Sequence, residues 1–419
     1  MTESIKIQGW CPTAWQPMRA QDGWMVRVRP HCASLSAAQW RVLADLALAH
    51  AHPQIELTRL GNVQLRGVSE TQLGGLRAQL IAAGLVPEDA DADLAPAVHC
   101  TPLYRRNDAT HALAQLLARA AVQRLSPQAL ARRGLAALPS KFGLLVDDPA
   151  RRMQASGADL QLWVGADRNY GLALGDSMHW YRFAQAEQAV DAAVEIAAWF
   201  AAERMALAPA PTRLRALLAH RTPPLPALQA APLHAAGGRS AAALAPGLHP
   251  DHGRIIGAPL GRIDAAAMSE LAAQLPAHGE IRVTPWRSLL LPADAMVAGI
   301  DRLDAAHWTT APEDMRLGVS ACTGAPRCAQ GHVPAQALAL VLAAQVPPHT
   351  HLHVSGCAKF CALSADATAV IVARLDAGGA PRLDLCRAEQ RSDSPTPISW
   401  PASTDAPANL KKLLHDLYL

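Results

Sequence analysis

The chain has 419 residues, a size that predicts two or three domains, and half of those residues are hydrophobic, enough for sizeable cores. Aromatic residues are only 4% and alanine fills much of the apolar quota, which favours alanine-rich helices over an all-β sandwich. Lys+Arg is 38 against Asp+Glu 35, a formal charge of +3; this balance excludes a strongly basic nucleic-acid coat protein and a disordered acidic regulator.

The first segment predicts strand, helix, strand, strand, helix. Trp24 to Arg29 alternates and ends at Pro30. Ser36 is placed to cap a helix carrying Trp40, Leu43 and Leu46. Ile55 and Leu57 alternate, as do Val63 and Leu65, and a second helix presents Leu73, Leu76, Leu80 and Ile81, closing at Gly84. The pattern returns 226 residues later: Asp264 caps a helix with Met268, Leu271 and Leu275, followed by Glu280 to Thr284, a Pro285-Trp286 step, and Arg287 to Leu291. Thr58 and Thr284 fall at equivalent places, so the chain reads as a duplication with a pseudo-two-fold arrangement; chance likeness of two short αβ stretches is the alternative.

Each copy is followed by a larger stretch. After the first come helices near Thr110–Leu125 and Pro127–Leu135, strands at Phe142–Val146 and Leu160–Val164, and a long helix from about Glu187 to Ala206. The expected division is 1–95 and 251–305 for the two repeated units, 96–207 and 306–419 for the larger α/β domains, and 208–250 for a Pro/Ala-rich linker. Ser392–Ala406 reads as a loop, and Leu410, Leu413, Leu414 and Leu417 as one face of a last helix. No stretch predicts a membrane span, since the most apolar helix carries Asp191, Glu195, Glu203 and Arg204; Met1–Gln8 does not read as a secretory signal. The expected compartment is the cytoplasm, with reduced thiols.

The chemistry concentrates in four cysteines. Cys322 and Cys328 form a C-x5-C pair, Cys357 and Cys361 a C-x3-C pair, with 28 residues between them. Four thiolates in glycine- and alanine-rich loops suit a [4Fe–4S] cluster, because small side chains let backbone N–H groups approach the cluster sulfurs. The x3 spacing would put Cys357 and Cys361 on one side of a helical turn. Zinc is the structural alternative, although five intervening residues fit it poorly. Cys32, Cys100 and Cys386 read as ordinary buried thiols, and Cys11 stands apart in Gly9-Trp10-Cys11-Pro12. His349, His351 and His353 alternate before the second pair. With Asp366 they are candidates for a mononuclear non-haem iron; a polar strand edge is the alternative. No Gly-x-Gly-x-x-Gly follows a strand, which argues against a bound dinucleotide of Rossmann type. Residues 101–141 hold seven basic side chains, including Arg105, Arg124 and Lys141, against one acid, Asp108. They are either a carboxylate-binding surface or a solvated helix face.

Three stretches carry a family resemblance: the cysteine spacing, Leu57 to Gln64 with its repeat, and Leu138-Pro139-Ser140-Lys141-Phe142. They resemble the sulfite/nitrite reductase superfamily over nearly the whole chain. Within it, Val319–Gly324 and His353–Ala362 are most similar to the precorrin-3B synthases. The resemblance implies an α+β fold of two ferredoxin-like half-domains paired about a pseudo-two-fold axis, with two larger α/β domains. It implies an O2-dependent monooxygenase of cobalamin biosynthesis that hydroxylates the tetrapyrrole precorrin-3A at C20 and closes a γ-lactone. Electrons would come from NADH through a separate reductase or ferredoxin. Lys141 and Arg287 would face the anionic ligand, with Arg327 and Lys359, inside the cluster loops, contacting substrate or offsetting cluster charge. The family arginine two residues after Thr58 is replaced by Leu60; Arg59 lies one position away, which on a strand is the opposite face, so either a local bulge restores Arg59 as a substrate contact or this copy has lost it. Two alternatives stand beside this reading. One is a sirohaem-dependent sulfite or nitrite reductase, in which Cys361 would bridge cluster and haem. The other is a non-catalytic electron-transfer subunit.

Overall fold

The structure, a computed structural model, describes residues 11–153, 157–175, 179–225, 231–232, 242–293, 303–363, 366–388, 398–402 and 410–416. The expectations placed on Met1–Trp10, on most of 392–406 and on Leu417 lie outside these residues. In chain order, the strands of the first repeat are β1 (Met18–Ala20), β2 (Gly23–Val28), β3 (Ser34–Ser36), β4 (Gln54–Leu57) and β5 (Val63–Val68). The first α/β module has β6 (Ala97–Cys100), β7 (Gly143–Asp147), β8 (Leu160–Val164), β9 (Tyr170–Leu174), β10 (His179–Phe183) and β11 (Ala231–Pro232). The second repeat has β12 (Gly247–His249), β13 (Gly253–Gly257), β14 (Arg262–Asp264), β15 (Glu280–Val283) and β16 (Ser288–Pro292). The second module has β17 (Val319–Ala321), β18 (Leu352–Ser355), β19 (Ala369–Leu375), β20 (Pro381–Arg387) and β21 (Ile398–Pro401). Within the Pro/Ala-rich run, Leu214–Leu218 form a helix and β12 is a sheet edge.

The two repeat sheets have matching orders, β1-β2-β5-β4-β14 and β12-β13-β16-β15-β3. Each takes its fifth strand from the other repeat: β3 pairs with β15 (Leu35 opposite Ile281) and β14 with β4 (Ile263 opposite Ile55). Three-residue strands carry too little periodicity to be read from sequence. The helices that follow them start as expected. Ser36 forms a capping box with Gln39 at the head of Ala37–His50, and the Asp264 carboxylate accepts from the N–H groups of Ala266 and Ala267 at the head of Ala265–Ala273. The exchange is repeated in the backbone, with Ala37 N–H donating to the Gly279 carbonyl and Ala265 N–H to that of Pro53. The two helices pack on each other and share one core, where Trp40, Leu43, Met268, Leu271 and Ile281 are fully buried.

The two modules repeat as well. β6, β7 and β8 run parallel and continue antiparallel into β9 and β10; β17, β18 and β19 run parallel and continue antiparallel into β20 and β21. Helices Ala109–Leu125 and Ala186–Glu203 pack together against the first sheet, and Leu410 and Leu414 of the last helix are buried against the second.

A buried charge cluster joins the second repeat to the first module. The Arg282 guanidinium, 2% exposed, donates to Glu280 Oε1 at 2.8 Å and to the carbonyls of Pro102 and Tyr104. Glu280 also accepts from Ser34 Oγ at 2.7 Å, Tyr104 OH at 3.0 Å and Arg106 at 3.1 Å. Burial pushes the Glu280 carboxyl up, but the Arg282 and other hydrogen bonds outweigh it and hold the pKa at about 2. This group's stabilisation is complete above its ordinary range, near 4.5, and is lost as pH falls towards 2. Glu280→Ala strands a buried guanidinium and is expected to cost roughly 3–5 kcal/mol. Urea denaturation as a function of pH should show that loss at neutral pH and a flatter acid limb for the variant.

Candidate functional site

β17 and β18 are adjacent and parallel, with Ala321 opposite Val354, so the loops leaving their carboxyl ends start side by side. The Cys322 N–H donates to the Val354 carbonyl at 3.1 Å, the His332 N–H to that of Gly356 at 2.8 Å, and the Gly356 N–H to Cys322 Sγ at 3.0 Å. Glycine is required at the contact: a Cβ on Gly356 would stand 3.0 Å from Gly324 Cα and 3.4 Å from Cys322 Sγ. Gly324, at φ +66°, packs equally tightly on Ala335. Cys322 and Cys357 are buried, Cys328 is half-buried and Cys361 exposed. Burial pushes the Cys322 and Cys361 thiols up, and neighbouring cysteines push them further: Cys361 and Cys357 act on the first, Cys357 and Cys328 on the second. The loops that carry the four cysteines are neighbours through these backbone bonds. Among the described residues no three His, Cys, Asp or Glu side chains stand at metal-ligating distance. The fit to a four-thiolate cluster thus rests on donor type, the backbone N–H directed at sulfur, and loop placement. The C-x3-C segment is a turn and not a helical one, because Phe360 at φ +52° leaves the helical region.

Cys361 lines a cavity of about 970 Å³ between the repeats and the modules. Five arginines share its wall: Arg27 on β2, Arg59 in the β4–β5 turn, Arg152 after β7, Arg287 in the β15–β16 turn and Arg316 before β17. Asp366 is the one carboxylate among the lining residues, and Leu57, Leu60, Leu260 and Trp286 supply apolar surface. Arg316 is clamped by Asp314, and Arg152 donates to Asp148 at 3.1 Å. Arg287 is pulled down by burial and then by Arg59, with Asp366 opposing. A water-filled basin with this excess of guanidinium suits a ligand bearing several carboxylates.

The turns that present Arg59 and Arg287 are twins. Thr58 N–H donates to the Asn62 carbonyl and Thr284 N–H to that of Ser288, and each threonine Oγ1 accepts from the residue two ahead, Leu60 and Trp286. Alternation ends at Leu57, so the opposite-face argument against Arg59 does not apply. Arg59 lines the cavity and donates to the Leu363 carbonyl at 3.2 Å, just beyond Cys361. In this register Arg287, at φ +56°, takes the place of Gly61, at φ +69°. An arginine thus occupies a left-handed position that glycine fills in the first copy.

The other expected residues lie elsewhere. Lys141 is exposed and is not among the lining residues; its carbonyl accepts from Arg213. Arg327 donates to Gln54 Oε1 at 3.2 Å, and Lys359 adjoins Cys361; neither is a lining residue. The basic stretch serves ion pairs: Arg124 with Asp191 and Glu195, Arg133 with Glu195, and Arg106 with Glu280. Arg27, Arg152 and Arg316 were not singled out from sequence. Arg27 carried a signal, since it alternates with buried Val26 and Val28 and so faces away from the core; the other two are placed only by tertiary packing.

His351 and His353 converge on Ser320 Oγ, each at 2.9 Å, while His349 is exposed in a turn at φ +64° and does not share their face. His351 lines the cavity, with Nδ1 3.8 Å from Asp366. His353 is fully buried, its Nε2 has no hydrogen-bond partner, and burial followed by Arg287 pushes its pKa to about 4. Among the described residues these groups do not close into a three-ligand set.

Residues 16–83 match the family model of the nitrite/sulfite reductase ferredoxin-like half domain. The fold is similar to the NirA protein of Mycobacterium tuberculosis, with a TM-score of 0.61 at 17% identity over 86% of this chain and 74% of that one. The chain thus shares the fold of that protein and carries a segment matching this half-domain at residues 16–83. A protein named precorrin-3B synthase from Sinorhizobium sp is 29% identical over 382 residues, 85% of this chain and 78% of that protein. In this fold the exchanged strands join the two repeats, and the cavity lies where both meet the cysteine loops.

Gly261, at φ +73°, backs onto Arg287: a Cβ there would stand 2.9 Å from Arg287 Cδ and 3.0 Å from its Cβ and Cγ. Gly261→Val is expected to displace that guanidinium and cost about 1–3 kcal/mol. Thermal denaturation with a fluorescence titration of uroporphyrin checks both effects; unchanged binding would mean that Arg287 does not depend on this packing.

Proposed function

We propose that this chain is a precorrin-3B synthase: an O2-dependent oxidoreductase that inserts one oxygen atom at C20 of precorrin-3A, with γ-lactone formation from a neighbouring acetate. The observation that carries the reading is the cavity of about 970 Å³ with five arginines, bordered by Cys361 of the four-cysteine loops. The relative named precorrin-3B synthase supports the substrate class.

The arginines act by orientation. A guanidinium fork binds a carboxylate through two parallel hydrogen bonds, and several forks fix a flat, flexible polyanion in one pose. Arg152 and Arg316 are held by their own carboxylates and present a fixed direction. Arg59 and Arg287 repel each other across the cavity, and a substrate carboxylate between them relieves that repulsion. Leu60, Leu260 and Trp286 cover the apolar face of the macrocycle and exclude water. Cys322, Cys328, Cys357 and Cys361 would hold a [4Fe–4S] cluster, which supplies electrons one at a time. Two electrons and two protons balance the reaction: one atom of O2 enters the substrate and the other leaves as water. NADH is the ultimate reductant, through a separate reductase or ferredoxin.

The test begins with anaerobic reconstitution and analysis of iron and acid-labile sulfide, expected at about four each per chain and lost in Cys361→Ala. Turnover of precorrin-3A under isotopically labelled dioxygen should then add one labelled oxygen to the product. Arg287→Ala and Arg59→Ala should each raise KM roughly 10-fold or more, the loss of one charged hydrogen bond. Sirohaem absorption with sulfite or nitrite reduction and no oxygen incorporation would instead assign the chain to the reductases. Absence of tetrapyrrole binding would leave it an electron-transfer subunit.

A further inference from the structure

Two cysteines expected as separate buried thiols lie together on the far side of the first repeat. Cys32 sits in the turn between β2 and β3, and Cys100 ends β6. Both are about 5% exposed or less, the turn that carries Cys32 packs on β6, and the Cys100 thiol donates to the Thr101 carbonyl at 3.2 Å. Both sulfurs line a second cavity, of about 710 Å³, whose wall includes His31 and His111 and reaches the surface at exposed Arg106 and Asn107. His111 is held in place, stacked on Tyr104 at 4.5 Å with its Nδ1 accepting from the Asn107 N–H at 3.0 Å. Cys32 itself is held at φ +49°, a left-handed backbone conformation.

The chemistry of this pair is asymmetric. Its neighbour Cys100 lowers the Cys32 thiol pKa against the effect of burial, and His31 and His111 lower it further, whereas Cys100 is pushed up by Cys32 and by burial. One sulfur is thus a nucleophile at neutral pH, and the other is a protonated thiol beside it. Arg119, acting on His31, and Arg282 and Asp108, acting on Cys100, are charged groups near the pair, and Arg29, Asp93, Arg106 and Glu280 line the same cavity.

We propose that Cys32 and Cys100 are a reversible dithiol–disulfide site whose oxidant is a hydroperoxide small enough to enter this cavity. The Cys32 thiolate attacks the peroxide oxygen, the O–O bond breaks, and Cys32 becomes a sulfenic acid as water leaves. The Cys100 sulfur then displaces the sulfenic oxygen as a second water, forming the S–S bond. Two thiols lose two electrons and two protons in all, and the peroxide is reduced to two waters. A thiol reductant reverses the step. The site is separate from the four-cysteine loops and does not depend on the function proposed for them.

The experiment treats the full chain with stoichiometric hydrogen peroxide, alkylates it and maps tryptic peptides. Cys32 and Cys100 fall in different peptides, 28–41 and 78–105, apart from every other cysteine. The expected product is those two peptides joined, about 2 Da lighter than their sum and separated by dithiothreitol. In Cys100→Ser, Cys32 should be trapped by dimedone as the sulfenic acid, and in Cys32→Ser neither product should form. Two results would overturn the proposal: both peptides recovered singly and alkylated after peroxide, or Cys32 carried to sulfinic acid in the wild-type chain without joining Cys100.

Discussion

The exchange of β3 and β14 is the constraint on which the rest of the structure depends. Each half-domain sheet would otherwise expose an edge at β4 or β15, and an open edge is a pairing hazard. Covering each edge with a strand from the other copy satisfies both ladders, brings the Ala37–His50 and Ala265–Ala273 helices into contact, and merges two small cores into one. It also carries the turns at His31–Ala33 and Pro259–Gly261 to the places where the α/β modules dock. One turn thereby brings Gly261 against Arg287, and the other brings Cys32 against Cys100. Both features of chemical interest follow from the same crossing.

The basic cavity shows how such a junction can hold many like charges. Five guanidinium groups arrive from five separate segments, so no local sequence concentrates them. Each is restrained locally: Arg316 by Asp314, Arg152 by Asp148, Arg27 by Gln64 and Arg59 by the Leu363 carbonyl. Such partners fix geometry without neutralising the whole cavity, and the residual positive field is what a polyanionic ligand would relieve. Arg287 is the most constrained of the five. Its backbone is left-handed, Gly261 packs against its side chain, and burial and Arg59 both weigh against its charge.

Much of this was legible in the sequence, and the omissions have physical reasons. The duplication, the capped helices at Ser36 and Asp264 and the paired cysteine loops are local patterns, and each survives in the structure. The strand exchange is not local: three residues, Ser34–Ser36, cannot declare a sheet 250 residues away. Strand alternation misled at Arg59 because the strand had already ended, and helical spacing misled at Cys357–Cys361 because Phe360 turns left-handed. The basic run at 101–141 left a ligand surface and a solvated face both open, because ion-pair partners such as Asp191 and Glu195 lie on a helix far along the chain.

Comparison of the two modules explains why a duplicated architecture need not make two equal sites. In open α/β sheets, ligands gather outside the carboxyl ends of parallel strands. Both modules offer such ends, with matching backbone bonds: Thr101 N–H to the Val146 carbonyl in one and Cys322 N–H to the Val354 carbonyl in the other. By this register Thr101 stands where Cys322 does, and Asp147 and Asp148 where Ser355 and Gly356 do. The first module thus has carboxylates at the place where the second opens its C-x3-C loop. Asp147 is buried beside Asp148, and burial with that neighbour lifts its pKa to about 7; its oxygens accept the N–H groups of Asp148 and Met153 and shape the loop that carries Arg152 into the cavity. One copy of the strand-end loop therefore contributes thiols and the other a cation, and both reach the same cavity from opposite modules. The asymmetry between these loops, set on a nearly symmetric frame, gives this cavity two chemically different walls.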